Sequence, residues 1–142
     1  MQRSEKQSIL VRPERSTVSA FCTQLTTLTQ EEVEKGIPFK AACMLLQQQY
    51  SSKNRVWASY GDYDRRQFEQ QCRSFQVNYP FGPTHINVKN LFAIAHQLPK
   101  EVGMAKALEI LRLPLEGTHH RAGDDAWNIA RIFAELLSKL RS

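Results

Sequence analysis

The sequence has 142 residues, 42% of them hydrophobic, which suits one globular domain over residues 1–142 with a single core. No apolar run approaches the roughly 20 residues needed to span a bilayer, and residues 1–6 are polar with no apolar signal core behind them, so a soluble, cytoplasmic protein with no membrane partner is expected. An excess of 19 Lys and Arg over 14 Asp and Glu gives +5, spread along the chain, which is compatible with a polyanionic partner without requiring one. Cys22, Cys43 and Cys72 are odd in number and far apart, and they read as reduced, mostly buried thiols rather than a disulfide or zinc framework.

In chain order, residues 8–11 are a short apolar run ended by Arg12-Pro13, which suits a strand entering a loop. A short helix is expected over residues 18–25. Another is expected from Thr29, where Glu32 completes a capping box, to a stop at Gly36. Ile37-Pro38 breaks the chain. Phe39, Ala42, Cys43, Leu46 and Tyr50 then follow helical spacing. Residues 55–60, Arg-Val-Trp-Ala-Ser-Tyr, form the clearest strand and lead through Gly61 into Asp62-Tyr63-Asp64, where a helix carrying Phe68, Cys72 and Phe75 begins. A strand that delivers a carboxylate to a helix start is an arrangement α/β enzymes use at the carboxyl ends of their strands. Capping is the alternative role for either Asp.

Residues 85–88 read as a short strand entering a helix over 91–98, and a further helix is expected over 103–111 with Met104, Ala107, Leu108 and Leu111 inward. His85 and His96 read as structural. The last third, residues 118–140, holds the strongest pattern. A polar turn sets His120 five residues before Asp125, and Asp125 opens a helix whose Ala126, Ile129, Ala130, Phe133, Leu136, Leu137 and Leu140 share one face. A carboxylate in such a first turn is favoured by unpaired N–H groups and the positive end of the helix dipole. Spacing alone leaves two roles open for Asp124 and Asp125: a helix cap or a metal ligand. A zinc site on His119 and His120 ranks low because no third ligand at suitable spacing is visible. Tyr60, Tyr63 and Trp127 are candidates for stacking on bases, with core packing the stronger expectation for Trp127.

His120-x-x-x-x-Asp125 followed by Asn-Ile-Ala-Arg-Ile resembles the third motif of the DEDDh 3′→5′ exonucleases, in the branch of histone-mRNA 3′-end exonucleases and bacterial relatives. Gly61-Asp62-Tyr63-Asp64, with its preceding strand and Phe68, resembles the second motif. His85-Ile86-Asn87-Val88-Lys89 is similar to the family as well. Residues 21–29, Phe-Cys-Thr-Gln-Leu-Thr-Thr-Leu-Thr, with Val33, resemble a loop that lies against the nucleotide in relatives, except that Thr27 replaces the family glycine.

The resemblance covers residues 9–137 and implies an α/β ribonuclease-H-like exonuclease domain, a mixed sheet flanked by helices, with the N-terminal strands missing from this chain. It implies metal-dependent removal of nucleotides from the 3′ ends of single-stranded RNA or DNA, with two Mg²⁺ or Mn²⁺ ions. His120 would be the general base, a task suited to an imidazole. Asp64 and Asp125 would hold metal, and Thr26 and Leu28 would touch the nucleotide. The family's first motif, Asp-x-Glu, occurs nowhere in residues 1–142. This chain alone is therefore expected to be inactive or impaired, and three explanations are compatible with that: a fragment of a longer exonuclease or the product of a wrongly chosen start, a shortened homologue that binds nucleic acid or a protein without cutting, or carboxylates supplied by another chain.

Overall fold

The structure, a computed structural model, describes residues 3, 6, 9, 11 and 35–141. The expected helices over 18–25 and from Thr29, together with Cys22, Thr26 and Leu28, lie outside these residues, except for Gly36, which sits in a bend. The described elements are helix α1 (Phe39–Tyr50), a 3-10 turn (Ser52–Asn54), strand β1 (Trp57–Ser59), helix α2 (Tyr63–Phe75), strand β2 (His85–Asn87), and helices α3 (Val88–Ala95), α4 (Met104–Leu111) and α5 (Ala122–Arg141). Among them, β1 and β2 pair in a two-stranded sheet, and no helix is long and apolar enough to cross a membrane.

The chain divides into two compact units, one of Met1–Lys6, Ala58–Arg65 and His85–Ser142, the other of Gln7–Trp57 and Arg66–Thr84. In the first, α3 and α4 both pack on α5. The core is Val88, Phe92, Met104, Ala107, Leu108, Ile132 and Leu136, with Ile129 and Phe133 packed against it. Burying side chains such as Phe92 and Ile132 stabilises by about 1.5–3 kcal/mol each. Two expected members of the α5 stripe are not inside: Ala126 is exposed and Leu140 is 70% exposed. The buried face instead runs through Asn128, Ile132, Ala134 and Leu136. The helix also opens at Ala122, three residues before Asp125, because a first turn held by polar contacts has no need of the apolar stripe.

The second unit is built on aromatic rings. Phe39 and Cys43 of α1 meet Cys72 of α2 in its core, with Phe68, Phe75, Val77 and Tyr79 packed around them. Trp57 stacks on Phe81 with centroids 4.0 Å apart, and Phe68 meets both rings edge-on. Gly82 permits this packing, since a Cβ there would lie 2.8 Å from the Lys53 carbonyl oxygen. Val11 bridges Ile37 in parallel, the one pairing described for the expected strand over 8–11. Pro38 sits at the N-terminus of α1 with φ −62°, pre-set for a helix entry. Cys43 and Cys72 are free and buried, and burial, with Cys72 beside it, pushes the Cys43 thiol up to about 12.

Candidate active site

Two carboxylate-bearing helix starts in the first unit hold the expected site residues Asp64 and Asp125. After β1 the chain turns at Gly61, whose φ of +104° favours glycine. The Gly61 N–H donates to Asn87 Oδ1 at 3.1 Å. The same oxygen accepts the Asn90 N–H at 3.2 Å and so caps α3. That cap explains why α3 starts at Val88, ahead of the apolar periodicity.

Tyr60 is half-buried and donates its hydroxyl to the Val102 carbonyl at 2.6 Å. Asp62 accepts two hydrogen bonds of 2.7 Å from Arg65, a bidentate pair. Asp64 stands in the first turn of α2. Its residue is exposed, yet protein packed around the carboxyl raises its pKa above the ordinary range, an effect that nearby His85 partly offsets. His85, on β2, has Nε2 2.7 Å from Ser59 Oγ, which donates to the Gly61 carbonyl at 3.0 Å.

The second start is the turn from Gly117 into α5. Gly117 has φ +75° and His120 φ +73°, both left-handed. Asp124 Oδ2 accepts the Thr118 N–H at 2.8 Å, and Lys6 pairs with the same carboxylate. The Lys6 contact first, and the Thr118 N–H second, hold the Asp124 pKa low. Asp125 Oδ1 accepts the His120 backbone N–H at 3.1 Å and lies 3.0 Å from His119 Nδ1. The two imidazoles stack with centroids 3.8 Å apart. One helical turn further on, the Asn128 side chain closes a two-bond clamp with the Glu116 backbone, at 3.0 and 2.9 Å. Trp127 is half-buried rather than in the core, and the Arg3 guanidinium lies 4.0 Å from its ring centroid.

The turn thus brings His120 and Asp125 together and adds His119. Ligand atoms of His119, His120 and Asp125 all lie within 4.8 Å of one another, and Asp64 is not a member of that group. The third ligand that the sequence pattern does not show beside His119 and His120 is Asp125. Thr26 and Leu28 lie outside the described residues. His85 beside Asp64, and Asn128, were not singled out as site or clamp; a polar residue inside an apolar helical stripe was the available signal for Asn128. A hard divalent cation takes oxygen ligands. Asp64 and Asp125 offer carboxylate oxygens at two helix starts, where they fit that requirement, whereas the two imidazoles do not.

A small sheet whose first strand leads to Asp64, together with its helices, is an α/β fold of the ribonuclease-H-like nuclease class. The RNase_T profile, described as Exonuclease, matches residues 2–133. The chain belongs to this exonuclease family, among the DEDDh 3′→5′ exonucleases, a group that uses divalent metal ions.

It is 30% identical to 3'-5' exoribonuclease 1 of Rattus norvegicus, over 89% of this chain and 40% of the relative. It is 27% identical to "Probable 3'-5' exonuclease KapD" of Bacillus subtilis, over 89% of this chain and 62% of that one. The chain therefore spans about two fifths of the length of the rat relative. The solved nuclease domain of 3'hExo, a DEDDh family member bound to rAMP, superimposes with a TM-score of 0.76 at 27% identity, covering 91% of this chain and 70% of that chain. A 3'-exonuclease solved in 3'-end-specific recognition of a histone mRNA stem-loop gives a TM-score of 0.78 at 26% identity, covering 91% and 62%.

Proposed function

We propose that residues 1–142 form one exonuclease domain that removes nucleotides from the 3′ ends of single-stranded RNA, or DNA, with Mg²⁺ or Mn²⁺. The observation that carries this reading is the turn before α5, where His120 and Asp125 meet at the family's five-residue spacing. The exoribonuclease relative and the rAMP and histone-mRNA complexes of similar proteins favour RNA.

In this reading Asp64 and Asp125 hold the cations through carboxylate oxygens. When bound, two such ions supply charge that stabilises both the attacking water and the leaving 3′ oxygen. The His120 ring accepts the proton of the attacking water as the bond between phosphorus and the 3′ oxygen breaks. His119 positions Asp125 through its 3.0 Å contact, and Asp124 fixes the turn by holding Thr118. Thr26 and Leu28 contact the terminal nucleotide.

A second reading has its own observation. No Asp-x-Glu string lies within residues 1–142, so two of the family's four carboxylates are not in this sequence, and a homologue that binds nucleic acid or a protein without cutting remains the competitor.

Digestion of 5′-labelled single-stranded RNA in Mg²⁺ or Mn²⁺ tests both. A ladder shortening from the 3′ end, lost with EDTA and in Asp125→Asn, supports the exonuclease. If the folded chain is inert, fusion to a strand carrying Asp-x-Glu separates the readings: restored cleavage upholds the proposed site, and continued inertness with retained RNA binding sinks it.

A further inference from the structure

We propose that His119, His120 and Asp125 form a site for a borderline transition cation such as Zn²⁺, distinct in donor chemistry from the oxygen-liganded Mg²⁺ positions, and that filling it switches the exonuclease off. The inhibitory half rests on the functional reading above; the binding half does not.

The three ligand atoms lie within 4.8 Å of one another. In a tetrahedral zinc site, bonds of about 2.0–2.1 Å put ligand atoms roughly 3.3–3.4 Å apart. The 3.0 Å between His119 Nδ1 and Asp125 Oδ1 is already near that edge. The His120 ring is exposed and the His119 ring partly so, so side-chain rotation can close the remaining gap. The backbone beneath them is set beforehand. Asp124 holds the Thr118 N–H, and Asp125 Oδ1 holds the His120 N–H.

Two imidazoles and one carboxylate are a donor set that Zn²⁺, Co²⁺ and Ni²⁺ accept, whereas Mg²⁺ demands oxygen. Binding through His119 Nδ1 places the ring proton on Nε2, a tautomer shift with no net proton loss. Three protein ligands leave a fourth position for water or a phosphate oxygen. Coordination occupies the His120 ring nitrogen that would accept the water proton and takes Asp125 from its Mg²⁺ role. Trace zinc then opposes magnesium at one residue pair.

The test titrates Co²⁺ into the 142-residue chain in excess Mg²⁺ and follows visible absorption, with circular dichroism to verify folding. The expected result is one Co²⁺ per chain with the intense bands of tetrahedral nitrogen and oxygen coordination, displaced by Zn²⁺. Affinity should fall by more than about tenfold in His119→Gln and in His120→Gln and stay unchanged in His96→Gln. Absence of Co²⁺ binding, equal affinity in both folded variants, or sulfur charge-transfer bands pointing to the thiols would overturn the site.

In the RNA assay, Zn²⁺ should stop Mg²⁺-driven cleavage by the wild type over the concentrations at which it displaces bound Co²⁺. Cleavage that persists with the site filled would defeat the switch. Failure of all Mg²⁺-driven cleavage even after fusion to the Asp-x-Glu strand, with Co²⁺ still bound through His119, would instead defeat the functional reading alone.

Discussion

Asp64 and Asp125 both stand in the first turn of a helix, yet their surroundings differ. The Asp125 carboxylate is held by a backbone N–H and an imidazole, on a helix anchored by the fully buried Ile132 and Leu136. Asp64 sits in surroundings that oppose its charge, with His85 as partial relief, on a helix whose buried contribution is Cys72. The difference teaches that a helix N-terminus is not one electrostatic environment. A backbone N–H aimed at one oxygen fixes the Asp125 carboxylate, whereas desolvation makes the charge of Asp64 costly.

The largest expected effect tests the fixed end. His120→Ala should lower kcat by about 10²- to 10⁴-fold with little change in Tm, measured on the labelled RNA; a mild loss would remove the general-base role. Next, Ile132→Ala should cost about 2–5 kcal/mol in urea unfolding, because Ile132 is fully buried in the core on which α5 rests. A cost near zero would show that α5 is not anchored as described. Asn128→Ala should cost about 1–3 kcal/mol by leaving the Glu116 amide and carbonyl unpartnered. It should also lower activity by loosening the turn.

The smallest effect on stability lies at Asp64. Its folded pKa is raised, so the charged form weakens the fold above that value, and the penalty vanishes below the ordinary carboxylate pKa of 3.8. Asp64→Asn should therefore match or exceed the wild-type Tm at neutral pH without metal, with the gap closing as pH falls toward 4. A variant less stable than wild type at pH 7 would show that Asp64 is stabilised rather than strained. The same substitution should abolish cleavage.

Much of this was legible in the sequence because helical periodicity is a strong signal. Phe39, Ala42 and Cys43 marked α1, and Met104, Ala107 and Leu108 marked α4. Helix beginnings were less legible, since α3 and α5 start on polar contacts rather than apolar residues: Asn87 Oδ1 for the former, the Thr118 to Asp124 bond for the latter. The edges of the α5 stripe were misjudged for a related reason. Ala126 and Leu140 satisfy the spacing but are exposed, while the buried face runs through Asn128, Ile132, Ala134 and Leu136. The pairing of His120 with Asp125 followed from family spacing. The part taken by His119 depended on left-handed backbone at His120, which no composition or periodicity reveals.

One oxygen of Asn87 receives two amides, Gly61 at the exit of β1 and Asn90 at the entrance of α3. Both of its lone pairs are spent, so turning the carboxamide over would aim two N–H groups at two others. The side chain consequently has a single tolerable orientation and works as a latch with one bolt. Any fluctuation that slides it releases the road to Asp64 and the first turn of α3 in the same instant, and the two amides should trade deuterium with solvent as a pair.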